Sequence, residues 1–195
     1  DIPDYMMDKV DPVRNMIIES VAETDEALMD RYFNGEEFTV DEIKKALRKA
    51  TDTNEVVPVL CGTALHNKGV GVLLESINAY FPSPDEAEVE YAAKVDTRDA
   101  LEITCDETAP LSAIVFKTIA DPFVGKLSFV KVCSGVLKAD STVFNPDRQL
   151  AEKVGKIYYM RGKKQIETDA ITAGDIGAIP KLTQTKTGDT LCSQS

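Results

Sequence analysis

Along the first eighty or so residues, apolar side chains return at a helical period; beyond residue 110 they fall into short strand-like runs, and the change divides the chain. Val13, Met16, Ile17, Val21 and Leu28 predict one long amphipathic element that ends at Asn34-Gly35. Asp11-Pro12 suits its start, because proline at the first helical position has no amide hydrogen to leave unsatisfied. Thr39-Val40-Asp41-Glu42 reads as a capping box, and Ile43, Ala46, Leu47 and Ala50 form the buried face of the helix it opens.

The pattern changes at Val56 to Leu60, a short and largely β-branched run suited to a buried strand. Gly62 to Gly69 is a loop, and Val70, Leu73, Leu74, Ile77 and Phe81 predict a helix that stops before Pro82. Strand, loop and helix make half of a parallel α/β unit, which needs neighbouring strands that this sequence does not supply. Pro82-Ser83-Pro84, with Asp85, Glu86, Glu88 and Glu90 after it, reads as a linker that is rigid and then acidic. From Leu111 onward strands alternate with turn residues. They predict a small closed barrel with Ile114, Phe116, Leu127, Phe129, Val143, Ile157, Ile176, Ile179 and Leu191 in its core. The expected division is residues 1–84, a linker over 85–109, and a barrel over 110–195. The expected fold class is an α/β remnant, helices plus a strand-loop-helix unit, followed by an all-β barrel.

Charge sharpens that division. Residues 1–90 carry 20 acidic against 8 basic side chains, whereas residues 110–195 carry 8 against 12. The first part should repel nucleic acid, and only the second can approach it. Its bases include Arg148, Lys153, Lys156, Arg161, Lys163 and Lys164, with Tyr158 and Tyr159 among them. That mixture suits phosphate neutralisation and base stacking, and it equally suits the solvated exterior of a barrel. No run of about 18 apolar residues predicts a membrane span, and no basic and then apolar leader opens the sequence. Cys61, Cys105, Cys133 and Cys192 form no CxxC pair and are expected to be reduced thiols. His66 is the sole histidine, with no nucleophile or second ligand beside it, so no catalytic residue and no metal site is expected.

Asp121-Pro122-Phe123-Val124-Gly125, the turns Ser134-Gly135, Ala173-Gly174-Asp175 and Thr187-Gly188-Asp189, and the run Asn34-Gly35-Glu36-Glu37 together resemble elongation factor G. Residues 110–195 resemble its second, β-barrel domain. Val57-Pro58-Val59-Leu60-Cys61-Gly62-Thr63-Ala64-Leu65, followed by Asn67-Lys68-Gly69-Val70, resembles the last stretch of the family's GTP-binding domain. The resemblance implies a barrel of the translation-factor domain II type. It also implies that the chain is a fragment of a ribosome-dependent GTPase that moves transfer RNA and messenger RNA. In that setting Thr63, Ala64 and Leu65 are the guanine-side loop, with the Ala64 amide facing the guanine carbonyl oxygen. Arg161, Lys163, Lys164, Lys156 and Tyr158 become candidates for contact with small-subunit ribosomal RNA. The acidic helices over 19–42 resemble an insertion that faces ribosomal stalk proteins. A cytoplasmic monomer is implied, with GTP as the parent protein's cofactor.

The phosphate half of such a nucleotide site is not in this sequence. Gly125-Lys126, Gly155-Lys156 and Gly162-Lys163 all lack the upstream glycine and the trailing hydroxyl residue of a phosphate loop, and no Asp-x-x-Gly occurs. The chain alone is therefore expected neither to hydrolyse GTP nor to hold magnesium. Several positions depart from the family pattern. Cys133 stands for tyrosine, Ala139-Asp140 for Ser-Gly, Ile179-Pro180-Lys181-Leu182 for Val-Val-Gly-Leu, and Tyr158-Tyr159-Met160-Arg161 for Leu-x-Met-His. They leave open a paralogue, a ribosome-protection or release-factor-type GTPase, and a stand-alone binding module with no nucleotide cycle.

Overall fold

Two compact units, residues 1–82 and 83–195, make up the chain. They are seen in a computed structural model that describes residues 2–87, 90–94, 97–121 and 125–193.

The first unit is helical. A 3-10 turn, Asp4–Met6, leads into α1, Met7–Ala22, so the helix begins before Asp11 and holds Pro12 inside it. The fixed proline φ is compatible with a helix, and what is lost is the amide that would reach the Asp8 carbonyl. The expected single element is two. Thr24 donates its hydroxyl to the Val21 carbonyl, and Asp25 caps a new helix, α2, Glu26–Phe33, by accepting from the Ala27 amide at 2.9 Å. The capping box forms as expected and opens α3, Val40–Asp52. Val21, Ala22, Phe38 and Ala46 are the buried centre, with Ile18, Leu28, Ile43 and Leu47 packed around them. Arg31 closes the α2–α3 loop: it reaches Glu36 at 3.0 Å and Glu42 at 2.7 Å, and lies over the Phe38 ring at 5.2 Å.

Val56 to Leu60 forms no strand, contrary to the expectation. Val57 is 77% and Val59 86% exposed. A strand is stabilised by ladder partners, and among the described residues of this unit none exists for the run to join. Helix α4, Val70–Tyr80, follows the loop as expected, yet it buries no residue: Leu73, Leu74, Ile77 and Phe81 stay exposed.

The second unit shows twelve strands among the described residues. The stretch read as a linker over 85–109 holds an antiparallel pair, β1, Glu90–Ala93, and β2, Ala100–Ile103. Glu88, counted with that linker's acids, lies outside the described residues. The remaining strands are β3 Ser112–Asp121, β4 Gly125–Ser134, β5 Val136–Lys138, β6 Thr142–Asn145, β7 Leu150–Lys153, β8 Ile157–Arg161, β9 Lys164–Thr168, β10 Ala170–Thr172, β11 Ile176–Pro180 and β12 Thr190–Cys192. Eight of them form one antiparallel sheet in the order β7-β6-β12-β3-β4-β11-β8-β9, and β10 pairs with β5 as a separate ribbon. No ladder joins the β7 and β9 edges among the described residues, so the expected barrel appears as a large sheet and a ribbon sharing one core. Leu137 and Ile171 of the ribbon lie in that core with Val115, Val130, Val132, Val143, Ile157, Ile179 and Leu191.

The inward face of β3 differs from the expectation. Ala113 and Val115 are buried, while Ile114 and Phe116 point out, with the Phe116 ring 6.3 Å from Phe129. Ile176 is likewise exposed. Because strand side chains alternate with period two, choosing the wrong parity moves every one of them to the other side. Asp121 pairs with Gly125, whose φ is +78°; Pro122, Phe123 and Val124 lie outside the described residues.

Candidate functional site

In the first unit the loop expected to face guanine is a closed turn. Thr63 and Lys68 exchange backbone hydrogen bonds at 2.9 and 3.1 Å, and the Asn67 amide reaches the Ala64 carbonyl at 3.2 Å. Two glycines make the crossing at its base possible. A Cβ on Gly69, whose φ is +77°, would meet the Cys61 carbonyl oxygen at 2.8 Å, and one on Gly62 would meet that of Lys68 at 3.0 Å. The amides of Ala64 and Leu65 donate to no group among the described residues, and both residues are exposed. Beside them Leu60, Gly62, Thr63, Ala64, Gly69 and Leu73 border a cleft of about 240 Å³. This chemistry fits one edge of a purine, a carbonyl acceptor meeting a free amide.

In the second unit the basic residues fall into groups. β8 and β9 join through Gly162-Lys163, with Arg161 opposite Lys164 and Gly162 at φ +58°. A two-residue hairpin with glycine at its first position thus brings Arg161, Lys163 and Lys164 to one exposed tip. None of the three makes an ion pair among the described residues. Lys156 and Tyr158 are not at that tip. Lys156 lies at the far end of the hairpin, paired with Glu167 at 2.7 Å, and Tyr158 stands opposite Glu167 in the ladder. Tyr159 turns inward and gives its hydroxyl proton to Asp175 at 2.8 Å. Burial, then that carboxylate, push its phenol up to about 12.

Arg148, grouped with these bases in the sequence, is committed elsewhere. Its Nε and Nη2 each donate to Asp189 at 3.0 Å, and the same carboxylate accepts from Asn145 at 3.1 Å and from the Lys186 amide at 2.9 Å. Arg148 holds the Asp189 carboxyl down at about 2, against a burial of all but 5% of the residue. Glu152, 8% exposed, grips the other side of the same loop. One of its oxygens accepts from the Thr183 amide, from the Thr183 hydroxyl at 3.1 Å and from the Gln184 amide at 3.0 Å. The other accepts from the Thr185 amide at 3.1 Å and hydroxyl at 2.5 Å. Burial raises the Glu152 carboxyl, but these donors outweigh it and leave it lowered. Lys126 adds a hydrogen bond from its ammonium to the Thr185 carbonyl.

Residues 110–194 match the family model described as elongation factor G domain 2. The second unit is similar to elongation factor G domain 2. A crystal structure of a Thermus thermophilus protein is similar over 100% of this chain at 27% identity, with a TM-score of 0.74. The chain covers 26% of that protein's length. The likeness therefore extends beyond domain 2, and the antiparallel β unit is consistent with the translation-factor domain II type.

Within domain 2 the sequence showed a basic stretch and the Thr187-Gly188-Asp189 turn, but neither the tip that gathers part of the stretch nor what the turn does. Asp189, Glu152 and Asn145 are buried polar residues, and in a sequence they look like surface. Asn145 following Phe144 at a strand end, and Thr183-Gln184-Thr185 before the turn, were the available signals. The departures at Asp140 and Lys181 acquire a backbone meaning: both residues have positive φ, 51° and 63°, where the family pattern they resemble carries glycine.

Proposed function

We propose that this chain belongs to a ribosome-dependent translational GTPase whose domain 2 docks on small-subunit ribosomal RNA while transfer RNA and messenger RNA are translocated. The observation that carries the reading is the match of residues 110–194 to elongation factor G domain 2, coupled to the basic tip at Arg161, Lys163 and Lys164, which has no ion pair among the described residues. The sheet beneath the tip is packed and antiparallel, so the three charges are presented on a stiff support. Lys156, shared with Glu167, contributes less, and Tyr158 offers a ring beside it. In the first unit the free Ala64 amide would donate to the guanine carbonyl oxygen, Thr63 would brace the turn, and Leu65 would lie beside the base. GTP, when bound to the complete nucleotide domain, supplies the hydrolysis that drives the cycle. The acid-rich helices α1 to α3 would meet a basic partner such as a ribosomal stalk protein, in the cytoplasm.

Binding of the chain to purified small ribosomal subunits, followed by co-sedimentation while salt rises, tests the docking. Weak binding is expected that falls steeply between about 50 and 200 mM salt. Changing Arg161, Lys163 and Lys164 together to glutamate should abolish it. Absence of binding at every salt, or binding indifferent to the triple change, would overturn the proposal.

A further inference from the structure

We propose that Lys181 and Lys186 form a second phosphodiester-binding face on domain 2, on the loop after β11 and distinct from the 161–164 tip. It rests on the RNA-docking reading and adds a location to it.

The first observation is a lysine where the backbone favours glycine. Lys181 has φ +63°, in the left-handed region that side chains with a Cβ rarely adopt. Of the other non-glycine residues with positive φ, Asn54, Asn67 and Asp140 are the types that tolerate it. Gln149 has a side-chain hydrogen bond to the Pro146 carbonyl, and Arg98 lies in the tight β1–β2 turn, its amide bonded to the Lys94 carbonyl at 2.9 Å. The Lys181 side chain is exposed and has no hydrogen bond or ion pair among the described residues. Its conformation is imposed from outside: Pro180 precedes it, its amide is held by the Lys126 carbonyl at 2.8 Å, and Leu182 after it is buried. Backbone strain of this kind persists where neighbours over-determine it, and it gathers at working surfaces. Glycine would serve this backbone better, so the lysine side chain is not there for the fold.

The second observation is the charge arrangement around it. Glu152 and Asp189 lie beneath the loop with their oxygens occupied by its amides and hydroxyls; Arg148 pairs with Asp189, and the Lys126 ammonium bonds the Thr185 carbonyl. Lys181 and Lys186 remain outward and unpaired among the described residues. Asp147, an exposed acid, accepts from the Thr190 amide. Point charges spaced along a fixed loop, without a converging fork of donors, suit the repeating phosphates of an RNA backbone better than a single carboxylate.

The test is fluorescence anisotropy of a short labelled RNA hairpin titrated with the 195-residue chain at several salt concentrations. Lys181→Gln keeps the strain and removes the charge, whereas Lys181→Gly removes both. Both should weaken binding several-fold and make the logarithmic salt slope shallower by roughly 0.9. Adding Lys186→Gln should roughly double that change in slope, and Lys138→Gln, an exposed lysine on β5, should change nothing. The melting temperature should stay level in Lys181→Gln and not fall in Lys181→Gly, so lost binding cannot be lost folding. Parent-like affinity and slope in the double variant overturn the proposal, as does an equal loss in Lys138→Gln. If the 161–164 variant alone loses binding, the docking reading stands and this face falls. If only the Lys181 and Lys186 variants lose it, this face stands and the tip falls. A parent chain that binds no RNA overturns both.

Discussion

Replacing Glu152 by glutamine changes one oxygen for an amide nitrogen and little else, and the network around it sets the consequence. The carboxylate accepts three hydrogen bonds on one oxygen and two on the other, all from Thr183, Gln184 and Thr185. Glutamine can keep one set. With its nitrogen toward Thr185, the hydroxyl can rotate to become an acceptor, but the backbone amide of a fully buried residue is left facing a donor. An orphaned buried donor costs about 1–3 kcal/mol, and the retained bonds each weaken by roughly 0.5 kcal/mol when the acceptor loses its charge. With three bonds retained, the sum is about 2.5–4.5 kcal/mol. For a unit of about a hundred residues this lowers the melting temperature by roughly 10–20 °C. Calorimetry of the Glu152→Gln chain reads the drop, and amide exchange at Val130 and Val132 assigns it to the β unit. Protection at Ala46 and Ala50 in the helical unit should not change. A melting temperature within about 2 °C of the parent would refute the reasoning, since the carboxylate would then not be what holds the loop.

Other outcomes follow from the same contacts. Asp189 has its carboxyl lowered from 3.8 to about 2 by Arg148, so its contribution is present in full above about pH 4 and is lost as pH falls toward 2. Asp189→Asn should therefore be less stable at neutral pH and show a flatter acid limb in that window, measured by unfolding against pH. Gly135→Ala and Gly188→Ala both place a Cβ at positive φ, yet only the first drives it into backbone, 2.7 Å from the Ala109 oxygen and from Leu111. Gly135→Ala should cost at least about 3 kcal/mol in chemical denaturation and Gly188→Ala about 1–2, and equal costs would contradict the steric account.

What the sequence revealed depended on whether the information was local. The Thr39–Glu42 capping box involves residues three apart, and it formed as read. Val56 to Leu60 has strand composition, but a strand is a property of two segments, and the described residues of this unit supply no ladder partner. β3 has apolar residues at both parities, Ala113 and Val115 against Ile114 and Phe116, so alternation could not say which side faces the core. Larger side chains on the outer side misled the choice. The β1–β2 pair was hidden among acidic and turn residues that read as linker. At the candidate sites, the Thr63 loop and the 161–164 tip were legible because glycines and bases mark them locally. The grip of Glu152 and Asp189 was not, because all their partners but the Lys186 amide lie more than thirty residues away.

Surface loops ordinarily lose conformational freedom when something binds them, and that loss subtracts from whatever the contact gains. The 183–189 loop differs, because its amides and hydroxyls are tied downward to two buried carboxylates rather than left to solvent. Its freedom was given up when the chain folded. A partner arriving at this loop freezes only the lysine side chains, so even a few weak charge contacts can register there as measurable affinity.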